Sequence, residues 1–143
     1  MKHKDPSQQL LKAYQAILEG FITYAGETIT VGTRIPRKKM RYVHIYIDAM
    51  VPYNTGDKVL FSATVALQTV TMQDVSEGDE TAANSIQDQV LQLVTEDPED
   101  IVMTDFTCLT AQFEGSEHDT EMTETNYTIT RKLRINHFIE QTT

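Results

Sequence analysis

Apolar residues recur at helical spacing over residues 7–24, where Leu10, Leu11, Tyr14, Ile17, Leu18, Phe21 and Ile22 make one stripe. Pro6 and Ser7 suit the start of such a helix, and Gly26 stands where a stop is expected. Residues 28–31 form a short β-like run. Residues 32–41 then read as a loop, because Pro36 and the charge density suit neither period.

From residue 42 the period shortens to two. Over 42–51, Val43, Ile45, Ile47, Ala49 and Val51 point one way, and Tyr42, His44, Tyr46 and Asp48 the other. Residues 52–58 contain Asn54-Thr55-Gly56-Asp57, a turn-forming stretch. A second long strand follows over 59–72. Val59, Phe61, Ala63, Val65 and Leu67 share its apolar side, and Ser62, Thr64 and Gln68 its polar side. These two strands make a hairpin.

Residues 73–80 are an acidic connector. A second helix spans 81–94, with Ala83, Ile86, Val90, Leu93 and Val94 facing inward, and residues 95–100 end it. Residues 101–113 form a third long strand whose uneven alternation points to a bulge. Residues 114–125 are acidic, hold one large apolar side chain, Met122, and read as a mobile loop. The last strand, 126–139, sets Tyr127, Ile129, Leu133, Ile135 and Ile139 against Thr128, Thr130, Lys132, Arg134 and Asn136.

The order helix, short strand, hairpin, helix, hairpin predicts an α+β fold. It is a mostly antiparallel sheet of about four to five strands with two helices packed on one face. The other face is left to solvent or a partner. The expected organisation is one domain over 1–143, carrying a flexible acidic loop at 114–125, since 143 residues match the common domain size of about 100–150. With 40% apolar and 23% charged residues, the chain can build a core. The polar first nine residues lack a leader-like apolar stretch, so a soluble protein retained where it is made is expected.

Charge sharpens this picture through its distribution. The formal net charge is -9, yet residues 1–42 carry +5, residues 43–130 carry -16 and residues 131–143 carry +2. So acidic a body argues against tight general binding of nucleic acid, which requires phosphate neutralisation. The concentrated positive feature is the run Arg34, Arg37, Lys38, Lys39 and Arg41, joined in sign by Lys132 and Arg134 on the last strand. These seven are the candidate subunit- or partner-interface residues. A basic patch and an acidic body on one chain suit head-to-tail association of copies.

Catalytic chemistry is sparse. Cys108 is the sole cysteine, which excludes an intrachain disulfide and any multi-cysteine metal site. His3, His44, His118 and His137 share no metal-ligand spacing; His44 and His137 read as sheet-surface residues that could be neighbours. Cys108 reads as a small buried or half-buried hydrophobe. The acidic groups Asp74, Glu77, Asp79 and Glu80, and Glu96, Asp97, Glu99 and Asp100, lack the spacing of a calcium loop and read as solvated loops. No glycine-rich phosphate loop, Gly-x-Ser-x-Gly or His-Glu-x-x-His is present. No catalytic, cofactor or metal residue is therefore assigned. The weak candidates for a small ligand-binding or enzymatic dimer are His44, Tyr46, His137 and Cys108.

The layout resembles a known family. An amphipathic helix leads through Val31-Gly32-Thr33-Arg34-Ile35-Pro36 into Tyr42-Val43-His44-Ile45. A turn at 54–58 feeds a long strand, a helix runs from Ala82-Ala83 to 91–94, and a strand, a polar loop and a closing strand complete the chain. This resembles the tail terminator, or tail completion, proteins of tailed bacteriophages, with the acidic insert 114–124 long for the pattern. The resemblance implies a structural virion protein without catalysis or cofactor. Its copies would form a ring, typically of six, on the head-proximal end of the tail tube. Its partners would be itself, the tail tube protein and a head-completion or connector protein, with DNA passing through the lumen unbound. It implies no membrane, and a location in the virion neck after assembly in the host cytoplasm. Another neck component, a connector or stopper, fits nearly as well. An acidic lumen would let DNA slide by repelling its phosphates.

Overall fold

The structure, a computed structural model, describes residues 3–53, 56–74, 79–94 and 96–142. The fold is α+β, with helices α1 (Ser7–Leu18) and α2 (Thr81–Leu93). The strands are β1 (Thr23–Tyr24), β2 (Glu27–Thr28), β3 (Thr30–Gly32), β4 (Arg41–Pro52), β5 (Leu60–Asp74), β6 (Phe106–Met122) and β7 (Asn126–Gln141). The main sheet has the order β3-β4-β5-β7-β6; β3 runs parallel to β4 and the other neighbours are antiparallel.

Both helices lie on one face. Leu10, Tyr14 and Leu18 from α1, and Ile86 and Val90 from α2, meet Ile45, Val65, Leu67, Leu133, Ile135 and Ile139 of the sheet. The long strands carry the alternation that this burial demands. On α1, Asp5 rather than Pro6 caps the first turn, its carboxylate accepting from the Ser7 amide at 2.9 Å and the Ser7 hydroxyl at 2.6 Å. Those two bonds, the hydroxyl's the larger effect, hold the Asp5 carboxyl below its usual value.

The first helix is shorter than the stripe predicts. It stops at Leu18, and Gly20 takes φ +85°, a conformation that releases the chain from the helix. Ile22 is still buried, but Phe21 is exposed. Gly26 is not a helix stop. It forms, with Ala25, the two-residue turn of the β1–β2 hairpin, and both have positive φ as such a turn requires.

β4 carries a bulge at Asp48, since Ile47 pairs with Val65 while Ala49 pairs with Thr64. One extra residue reverses the alternation beyond it. Ala49 and Val51, expected inward, therefore face outward, and Met50 packs on the core. Within the turn expected at 52–58, Asn54 and Thr55 lie outside the described residues, as do 75–78 of the acidic connector and Thr95.

The largest departure concerns β6. Residues 101–105 are not strand, whereas the expected mobile loop 114–125 is strand through Met122, paired with β7 as far as Met122↔Tyr127. Only residues 123–125 turn the chain, closed by a bond from the Thr123 amide to the Asn126 carbonyl of 2.8 Å. Bulges after Cys108 and Phe113 shift the register, the second at Gly115 with φ +115°. This stretch escapes the hydrophobic alternation because most of it is exposed.

Candidate functional site

Register builds the helix-free face from rows of residues. His44, Gln68, Lys132 and Glu117 form one row across β4, β5, β7 and β6; Tyr46, Ala66, Arg134 and Gly115 form the next. The bulge presents Asp48 beside Arg134, whose Nε donates to Asp48 Oδ2 at 2.7 Å while its Nη1 donates to Glu117 Oε1. The hydrogen bond from Arg134, aided by its charge, holds the Glu117 carboxyl below its usual value, and the two carboxylates, Glu117 first, raise that of Arg134. Lys132 Nζ stands 5.5 Å from the Tyr46 ring centroid, and His44 stacks on Tyr46 at 5.0 Å. Long side chains thus arch over Ala66, which is buried although no helix covers this face.

The seven candidate interface cations fall into three groups. Arg34, Arg37, Lys38 and Lys39 are exposed on the loop between β3 and β4, and none makes an ion pair among the described residues. Arg41 is set apart, with its guanidinium carbon 4.8 Å from the Tyr24 ring centroid and its buried Nε without a hydrogen bond. Lys132 and Arg134 occupy the helix-free face, where Arg134 is already neutralised.

The acidic groups behave as local caps and pairs. Asp79 Oδ1 accepts from the Thr81 amide at 3.0 Å, and Asp97 Oδ1 accepts from the Glu99 amide at 3.0 Å in the short 3-10 turn Pro98–Asp100. Glu77 lies outside the described residues. No cluster of three or more His, Cys, Asp or Glu side chains suited to a metal occurs among the described residues.

His137 is not a surface residue. It shares the inward parity of Ile135 and Ile139 on β7 and is fully buried, while His44 is half-buried on the opposite face of β4 with β5 between them. Its partners come from three directions. Its Nε2 lies 2.6 Å from Tyr14 Oη of α1, and its Nδ1 lies 3.1 Å from the Thr110 carbonyl and 3.4 Å from Cys108 Sγ. The geometry suits a neutral ring that donates from Nδ1 to the carbonyl and accepts the tyrosine proton at Nε2.

The β6 bulge supplies that carbonyl. Leu109 is the extra residue between the pairs Cys108↔Ile139 and Thr110↔Phe138. Thr110 Oγ1 accepts the Phe138 amide at 3.0 Å, and its carbonyl accepts from both His137 and the Cys108 thiol, the latter at 3.1 Å. Burial drives the imidazole below its ordinary value and the thiol up to about 11, and it raises the Tyr14 phenol far above its ordinary value. A desolvated thiol beside a neutral imidazole is a poor nucleophile. The Cys108–His137 contact thus reads as a satisfied core network.

Arg131 is the functional-looking residue that the sequence reading passed over. It is 3% exposed, and its Nη2 donates to Glu80 at 3.1 Å and reaches Asn84 at 3.5 Å, tying β7 to the start of α2. Its odd-numbered parity with Ile129 and Leu133 was the available signal.

With this geometry in hand, comparison adds no relative: no protein-family model matches the chain, and no curated protein matches it. Among the described residues no helix is long and apolar enough to cross a membrane.

Proposed function

We propose that this chain is a structural subunit of a phage tail terminator: a ring of copies, six in the reading carried by the family resemblance. The ring caps the head-proximal end of the tail tube, ends its growth and offers the head a docking surface. The role requires neither catalysis nor a cofactor. Its partners are further copies, the tail tube protein and a head-completion or connector protein, with DNA passing through the lumen without specific binding. The site of action is the virion neck, after assembly in the host cytoplasm.

One observation carries the reading. The chain presents a two-layered domain whose chemistry lies in opposed charged surfaces, while its buried polar network is sealed in the core. That arrangement serves assembly better than turnover. The net charge of -9 suits a DNA conduit that repels phosphates.

The test is tube capping. Purified protein is added to polymerising tail tube protein and imaged by negative stain. Rings at one end of tubes of arrested length are expected; tubes that elongate unchanged and carry no ring overturn the proposal. A connector or stopper would instead bind the portal side and leave tube length unaltered.

A further inference from the structure

The two charged features of the chain occupy opposite edges of the same sheet. The order β3-β4-β5-β7-β6 puts the loop 33–40, with Arg34, Arg37, Lys38 and Lys39, outside β3 and β4. It puts β6, with Glu114, Glu117, Asp119 and Glu121, at the far edge, about 19 Å away at the usual strand spacing.

They also lie at the same height along the strands. Tyr42 is level with Val70, Val70 with Thr130, and Thr130 with Asp119; His44 is level with Gln68, Lys132 and Glu117. Because β3 runs parallel to β4, the loop must return from the level of His44 to that of Arg41 along the outside of that edge. Its cations therefore stand level with Glu117 to Glu121.

We infer that these edges are the two halves of a head-to-tail contact, in which the β3–β4 loop of one copy docks on the acidic β6 edge of the next. This rests on the self-associating subunit proposed above and names its two patches. Three observations select this partner. β6 pairs with β7 on one side only, which leaves an exposed strand edge of the kind that recruits another chain. Two β6 edges facing each other would oppose like charges, so a symmetric dimer through this edge is disfavoured. Glu114, Asp119 and Glu121 make no ion pair among the described residues, and neither do the four loop cations, so each set lacks a counter-charge within its own copy. Exposed Ile35 and Met40 on the loop and Met122 on β6 add apolar area to both halves.

Equal height favours closure. A contact between patches offset along the strands would generate a rising helical array, whereas level patches permit a ring whose axis runs roughly along the strands.

Charge reversal tests this. Variant A carries Arg37→Glu, Lys38→Glu and Lys39→Glu; variant B carries Glu114→Lys, Asp119→Lys and Glu121→Lys. Both sets are exposed, and circular dichroism establishes that each variant folds. Sedimentation at low and high salt reads association. The wild type is expected to associate more strongly at low salt, and A and B each to associate at least tenfold more weakly. The combined variant, and an equal mixture of A and B, should regain association, because each then presents opposite charges across every contact. Wild-type protein that stays monomeric at its solubility limit, association unmoved by A or B, or loss without rescue each overturns the inference. Oligomers that obey this pattern but fail to cap tail tubes would sink the terminator reading and leave the contact standing.

Discussion

Tyr14 of α1 and His137 of β7, 123 residues apart, meet at 2.6 Å inside the core. The hydrogen bond fixes the depth at which the first helix sits on the last strand. Tyr14→Phe keeps the ring in place and leaves Nε2 of His137 buried without a donor. A loss of about 1–3 kcal/mol is expected by denaturant unfolding. The double variant Tyr14→Phe/His137→Leu removes both polar ends and should lose less than the sum of the single changes. Additive losses would mean that the two groups are not coupled.

The same imidazole makes stability depend on pH. Burial holds the folded-state value of His137 below its ordinary 6.5. As pH falls through 6.5, the unfolded chain takes up a proton that the folded chain resists, so stability declines on acidification and is complete above that value. Between about pH 7 and pH 5, wild type should lose stability more steeply than Tyr14→Phe/His137→Leu. The variant retains His3, His44 and His118, so the difference in slope isolates one ring. Parallel profiles would remove this account. The lowered carboxyls of Asp5 and Glu117 titrate further down the scale and do not enter this window.

How much of this was legible follows from what each residue faces. Period-two alternation was readable in β4, β5 and β7 because one side of each meets helices and the other does not. Parity even contained the burial of His137 and Arg131, which share it with Ile135 and Leu133, but polar identity masked the signal. Three features left no such trace. A bulge such as that at Asp48 changes parity without a required residue type. The end of α1 at Leu18 turns on Gly20 rather than Gly26, and only φ separates their roles. β6 beyond Gly115 lies mainly exposed at a sheet edge, so a strand there has the composition of a loop. Of the seven candidate cations, four stay together on one loop, whereas Arg134 is spoken for by Asp48 and Glu117, contacts that only the bulge and the β6 register create.

Deleting residues 117–123 separates the two readings of that segment. A surface loop has ends close together, so its removal should cost little. In the structure Ser116 pairs with Leu133 and Met122 with Tyr127, so the cut ends lie roughly 20 Å apart at the usual rise per residue. A peptide bond cannot span that gap unless β7 peels away from β5 and exposes Ile129 and Arg131. A fall in Tm of well over about 10 °C, or failure to fold, is expected from losing several buried contacts at once. Near wild-type melting would restore the loop reading.

Cys108 offers a probe of the whole core. Its thiol donates to the Thr110 carbonyl at 3.1 Å, and burial raises its pKa to about 11, so little thiolate exists near neutral pH. A thiol-specific reagent at about pH 8 should therefore label the denatured chain at once and the native chain only as it unfolds. When reclosing outpaces labelling, the rate follows the population of the open state, which grows about tenfold per 1.4 kcal/mol of lost stability. Tyr14→Phe should accelerate labelling by the factor that its measured destabilisation sets, although its own ring never touches the reagent. Labelling that is fast in the native wild type, or indifferent to Tyr14→Phe, would place the sulfur outside the sealed network.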